Sequence, residues 1–203
     1  MSSLSTLTLV AVLAMPVALE QTPVQQDAKK QDSPKVVLGV SDFIMQAADA
    51  ALMEVEISRM AIEKSSNEDV KGFARRLVTD HSLANDDLVR MSKSRKVTLK
   101  APMIAMKVDP TVDPSKPSTM PPSESMTVEH HAAHASLMAL EGAAFDKAFI
   151  NQMVMDHEKA VEMFDAQSDA GVDSEVKEWA DRKLETLKEH LKMAKDLQDK
   201  IGK

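Results

Sequence analysis

This chain has no cysteine and no tyrosine, and only one tryptophan, five phenylalanines and five glycines. The missing thiol excludes disulfide staples, a cysteine nucleophile and thiolate metal sites. It also fits passage to an oxidising compartment without disulfides. Scarce aromatics and short β-branched runs argue against a sheet. The abundant Ala, Leu, Met, Lys and Glu favour helices instead. There is no Gly-rich phosphate loop and no serine in a nucleophile-elbow context. An excess of positive charge is absent too, since the net charge is -7, which argues against a nucleic-acid partner.

Long apolar runs are nearly absent as well. The one at Leu4–Leu19 is ended by Pro16-Val-Ala18. It is short for a bilayer span but suits the core of a signal peptide, although the charged leading segment is missing. The expected organisation is therefore a signal peptide over 1–18, a polar disordered leader over 19–40 and a helical domain over 41–203. The exported product is expected to lie in the periplasm or at the outer membrane, with no stable membrane span in the mature chain.

What is present is helical periodicity. Helix A is expected from a Ser41 or Asp42 cap to Lys64, with the seam Phe43, Ala47, Ala50, Glu54, Ile57 and Ala61; Asp49, Glu56, Arg59 and Glu63 face away from it. After the polar turn at Ser66-Asn67, helix B is expected to run to about Arg95 along Val70, Ala74, Leu77, His81, Ala84, Leu88 and Met91. The segment 96–126 holds Pro102, Pro110, Pro114, Pro117, Pro121 and Pro122, and that density predicts a long flexible crossover. A helical piece resumes at Ser123 and carries His130, His131 and His134 before Gly142 ends or bends it. Helix C is expected over Phe145–Ala170 with Asp146, Ile150, Met153, His157, Ala160 and Phe164 on its seam. Gly171 and an Asp173 or Ser174 cap then introduce helix D, which carries Leu187, His190, Ala194 and Leu197. The fold class is all-α: an antiparallel four-helix bundle made of two hairpins joined by a Pro-rich crossover.

One phrase occurs twice. Phe73 to Ala84 and Phe149 to Ala160 share Phe, Val, Asp, His and Ala at identical offsets. Each histidine falls on an apolar seam, as do Glu54 on helix A and His190 on helix D. At a rise of about 1.5 Å per residue, Glu54 lies about 18 Å and His81 about 21–22 Å from the A–B turn. If C runs parallel to B, His157 lies about 18 Å from the start of C, and His190 comes to about 13 Å. One polar residue per helix thus falls within one layer.

A buried carboxylate and three buried imidazoles all need partners. One divalent transition ion (Zn, Fe, Cu or Ni) satisfies all four, so Glu54, His81, His157 and His190 are the candidate metal ligands. Asp80 and Asp156 are placed to accept from ligand rings or to be exposed helix charges. The alternative is a metal-free structural or interaction module of the envelope, with a closed Glu–His hydrogen-bond layer and an envelope protein as partner. A weaker surface pair is His130 and His134, spaced i, i+4, with Met103, Met106, Met120 and Met126 nearby as soft ligands for copper. Met138, Met153, Met155 and Met163 read as core filler. No catalytic residue is indicated, and an enzyme would have to use the metal or the histidine layer.

Asp80-His81 with Ala84 and Leu88, Gly142-x-x-Phe145-Asp146-Lys147, Met153-Val154-x-Asp156-His157 and Leu187-x-x-His190-Leu191 together resemble an exported bacterial family. It is the ferritin-like domain-of-unknown-function family 4142, often labelled a predicted outer membrane protein. The resemblance spans about residues 40–200. It implies a ferritin-like bundle outside the cytoplasm and brings no established activity; the family's recurring polar positions map onto Glu54, His81, His157 and His190. Di-iron ferritins use Glu-x-x-His on two helices. Here Val78, Val154 and Leu187 stand three residues before the histidines. That leaves too few carboxylates for a di-iron ferroxidase and points to one metal at most.

Overall fold

The structure is a computed structural model and describes residues 35–99 and 128–202. The expected signal peptide, most of the leader, most of the crossover and its methionines Met103, Met106, Met120 and Met126 lie outside the described residues. Five helices and no strands occur among the described residues. They are α1 (Val40–Lys64), α2 (Glu68–Ser94), α3 (Val128–Met138), α4 (Gly142–Ala170) and α5 (Ser174–Ile201). None is long and apolar enough to cross a membrane.

Local chemistry sets most boundaries. Asn67 Oδ1 accepts from the Asp69 amide at 3.0 Å, and Asp173 Oδ1 accepts from the Val176 amide at 3.0 Å. These caps start α2 and α5 as their sequences predict. At α1 the expected Ser41 or Asp42 cap is replaced by Gly39, which offers no side chain. Helix α4 begins three residues earlier than the periodicity suggests, with Gly142 at φ +56° as its first residue. Gly171 follows α4 in an extended rather than left-handed conformation, at φ -60°. Its lack of a side chain serves close approach: a Cβ there would stand 2.5 Å from the Gln167 carbonyl oxygen.

Helices α1 and α2 form one hairpin and α4 and α5 another, with α1 facing α4, α2 facing α5, and α3 lying on α1 and α4. Lys64 at the end of α1 donates to the Met138 carbonyl at 2.7 Å and pairs with Glu141 at 3.0 Å. Arg95 after α2 pairs with Asp173 and Glu175 at 2.7 and 2.8 Å, ahead of and within the first turn of α5. These end contacts make α2 and α4 run in one direction and α1 and α5 in the other.

The apolar seams meet in one core. Phe43, Phe164 and Trp179 pack edge-on at one end, with ring centroids 5.0–6.2 Å apart. The Trp179 N–H donates to Asp87 at 3.0 Å. Phe145 and Phe149, stacked at 6.2 Å, fill the other end. Each such ring contributes about 1.5–3 kcal/mol by leaving water, so Phe43→Ala or Phe149→Ala would open the core beside the central layer. Met153 is fully buried, whereas Met138 and Met155 are 56% and 50% exposed and fill no core. Their places in the sequence suit a helix, but their faces point outward.

Candidate metal centre

Between the two aromatic ends, α1, α2, α4 and α5 each project one polar side chain inward. Glu54, His81, His157 and His190 are 2%, 8%, 0% and 1% exposed. The three histidines come together, with ring centroids 5.3–5.6 Å apart and one ligand atom from each within 4.8 Å of the others. Glu54 Oε2 lies 2.7 Å from His81 Nε2 and 3.5 Å from His157 Nε2. The common layer arises because each residue occupies the inward position of its seam at nearly the same helical height.

Hydrogen bonds assign the tautomers. The His157 Nδ1–H donates to the Met153 carbonyl at 2.9 Å, which leaves Nε2 as a lone pair on the neutral ring. The His190 Nε2–H donates to Asp80 Oδ2 at 2.9 Å, which leaves its Nδ1 as a lone pair. Those two lone pairs face each other at 3.3 Å. Beside them, Glu54 Oε2 and His81 Nε2 are buried and face each other at 2.7 Å. Where His157 and His190 meet, electron-rich atoms converge with a deficit of positive charge.

The protonation equilibria reflect that deficit. Burial pushes the His157 ring below its ordinary range, against the attraction of Glu54. Burial and the positive charge on His81 lower His190 to about 4, against its bond to Asp80. Burial also opposes charge on His81, but the Glu54 carboxylate outweighs it and raises the group. Glu54 is held at about 2 because the neighbouring imidazoles outweigh the cost of burying its charge.

The two aspartates before the histidines behave differently. Asp80 does not orient its neighbour His81; it reaches across to His190 on α5 and is held in turn by Arg76. Asp156 touches no histidine. It accepts from Gln152 Nε2 at 2.9 and 3.0 Å, and burial raises it to about 6. Of the two alternatives open for these aspartates, Asp80 accepts from a ring of the layer, whereas Asp156 is a half-buried carboxylate held by its own helix.

Of the surface histidines, one is engaged across the fold. His130 turns to Asp49, with Nδ1 2.7 Å from Oδ2, while His134 lies part-buried and is lowered by burial and by His131. Asp49 corrects a second expectation, because it is 6% exposed rather than facing solvent. It is covered by α3, a helix some eighty residues away in sequence, and periodicity within α1 carries no trace of that neighbour.

Two cavities meet at Glu54. One, of about 300 Å³, is lined by Asp49, Glu54, His130, Asp156 and Lys159 among others. The other, of about 110 Å³, is largely apolar and includes Leu88, Phe164 and Trp179 beside Glu54, His81 and His190.

The fold is shared with a crystal structure from Streptomyces coelicolor, described as that of a secreted protein, DUF305. The TM-score is 0.59 at 16% identity, covering 79% of this chain and 91% of the other. No curated protein matches the chain. A family model described as Domain of unknown function (DUF4142) matches residues 25–197, most of the length, and the chain belongs to that family.

Proposed function

We propose that this protein is an exported, ferritin-like four-helix bundle, its hairpins joined by the Pro-rich crossover, that holds one transition-metal ion through Glu54, His81, His157 and His190. The supporting observation is the pair of lone pairs, His157 Nε2 and His190 Nδ1, that face each other 3.3 Å apart with no donor between them. Two acceptors at that distance repel unless a cation lies between them. Ligand atoms about 2.0–2.1 Å from a tetrahedral ion stand about 3.3–3.4 Å apart, which suits this pair and the 3.5 Å between His157 and Glu54. The 2.7 Å contact between Glu54 and His81 has to lengthen by roughly 0.6 Å to join the same shell.

Three imidazoles and one carboxylate suit Zn, Fe, Cu or Ni. Asp80 would fix the His190 ring and raise its basicity, and Arg76 would fix Asp80. The role is metal handling or protection of the envelope, and the secreted description of the DUF305 neighbour supports export. The polar lining includes no Glu-x-x-His pair, so iron storage is not proposed.

A second reading draws on the raised His81 beside Glu54: a buried ion pair that fixes helix register in a metal-free envelope module. Elemental analysis of untagged protein from its native compartment separates the two. The metal reading expects close to one equivalent of one ion and a higher melting temperature with that ion. Less than about a tenth of an equivalent, with no thermal gain on adding Zn, Cu, Ni or Fe, sinks it.

A further inference from the structure

The polar cavity between α1, α3 and α4 meets the four-residue layer at Glu54, and none of the roles above uses its other side chains. Its lining passes from the exposed Gln46 and Lys159 to Glu54, which is 2% exposed. Asp49 lines it from α1 with its side chain only 9% exposed. One carboxylate oxygen of Asp49 faces His130, and the other, Oδ1, is buried with no hydrogen-bond partner. Asp156 lines it from α4, close enough for Glu54 and His130 to influence its charge electrostatically. A lining with three carboxylates, one imidazole and one lysine favours a cation throughout its depth.

The second cavity reaches the same layer past Leu83, Leu88, Phe164 and Trp179, and its carboxylate outside the layer, Asp80, is already bonded to Arg76 and His190. A hydrated ion entering there would meet the Lys183 ammonium and lose water before any uncommitted carboxylate replaced it, which is costly. In the polar cavity, Asp49, His130 and Asp156 replace water step by step. The oxygen and nitrogen donors also match the borderline character of the ions that suit the central layer.

Resting on the metal-binding reading, we propose that this cavity is the entry route and outer binding site for the same divalent transition cation, with Asp49, His130 and Asp156 passing it inward to Glu54. Lys159 at the mouth opposes the ion and sets the rate of entry. The outer residues therefore govern how fast the layer fills, while the inner four govern how tightly it holds.

The test mixes zinc sulfate with metal-free, full-length mature protein in a stopped-flow instrument and follows zinc transfer from a colorimetric indicator. Asp49→Asn and Asp156→Asn are each expected to load about three- to tenfold more slowly at low salt, with unchanged final stoichiometry, as lost steering charge predicts. Lys159→Gln should load faster. Asp169→Asn, which removes the same charge from an exposed site, should load at the wild-type rate. The opposite signs at Asp49 and Lys159 guard against a folding artefact, because a loosened bundle would admit zinc faster in every variant. Wild-type rates in Asp49→Asn and Asp156→Asn, or an equal change in Asp169→Asn, overturn the entry route alone. No zinc uptake by the wild type overturns the central site and this proposal together.

Discussion

Asp80-His81 on α2 and Asp156-His157 on α4 are the same two residues at the same place in a repeated phrase, yet beyond a shared approach to Glu54 their surroundings differ. Asp80 accepts from His190 on another helix and is gripped by Arg76 one turn earlier. Asp156 accepts from Gln152, also one turn earlier, and lines the outer cavity. His81 is raised by the Glu54 carboxylate, whereas His157 is lowered by burial and spends its Nδ1–H on its own helix. The same Asp-His pair holds charge in one copy and a lone pair in the other. The partners differ because α2 faces α5 while α4 faces α1 and α3, and because Arg76 stands where the second copy has Gln152.

The largest break in that comparison comes from deleting the rings. Both His81→Ala and His157→Ala should abolish stabilisation by added metal, which for the wild type is about 2.7 kcal/mol at a hundredfold excess over Kd. Without metal they should part. His81→Ala strands the buried Glu54 carboxylate and should cost about 3–5 kcal/mol unless that group takes up a proton. His157→Ala relieves two facing lone pairs but also empties a buried site and frees the Met153 carbonyl, so it should cost about 2–3 kcal/mol, less than His81→Ala; equal losses would contradict the placing of charge on His81. Urea unfolding with and without metal measures both.

Next come the aspartates. Asp80→Asn weakens the acceptor that fixes the His190 tautomer and should lower metal affinity about 10–100-fold at equilibrium. Asp156→Asn should leave equilibrium affinity within about twofold, because Asp156 touches no ring. Equal losses in a competition titration would contradict the asymmetry.

How far this asymmetry was legible in sequence depends on the distance over which each contact acts. The helices and the four-residue layer could be read because a 3.6-residue period and a fixed rise determine face and height. Asp80 meeting His190 could not, since it requires knowing how two helices rotate about their own axes. Asp49 was misplaced because the helix that buries it comes from a distant stretch of chain. Trp179 was passed over because it flanks the expected seam, although its ring closes one end of the core.

Acid offers a third, smaller separation. His157 and His190 are held below their ordinary values, His190 at about 4, so unfolding takes up protons as pH falls below about 6.5. Metal-free stability should therefore drop between about pH 6.5 and 4, on the order of 2 kcal/mol for His190 alone. His81 has the opposite sign: its contribution is complete below its unfolded value and fades as pH rises through its raised folded value. Glu54, held at about 2, contributes in full above its ordinary value of 4.5 and loses that contribution progressively as pH falls from there to about 2. His190→Gln should flatten the acid limb in pH-dependent thermal melts, and an unchanged slope would contradict the lowered ring.

The smallest and sharpest change is Arg76→Gln, because it makes the α2 phrase match the α4 phrase at that position, where Gln152 stands. Arg76 is half-exposed, its side chain 48% accessible, and it also reaches Glu189 at 3.4 Å, so its direct worth as an ion pair is under about 1 kcal/mol. Its larger effect should pass through Asp80: a guanidinium keeps that carboxylate charged and in place for His190, while an amide only positions it. Metal affinity should fall about two- to threefold, less than in Asp80→Asn, with little change in metal-free stability. The reciprocal Gln152→Arg should not change equilibrium affinity, since the aspartate it grips bonds no ligand ring. If both changes shift affinity alike, net charge near the layer governs binding and the separate wiring of the two phrases is wrong. If only Arg76→Gln does, the chain from Arg76 through Asp80 to His190 distinguishes one copy of the repeat from the other.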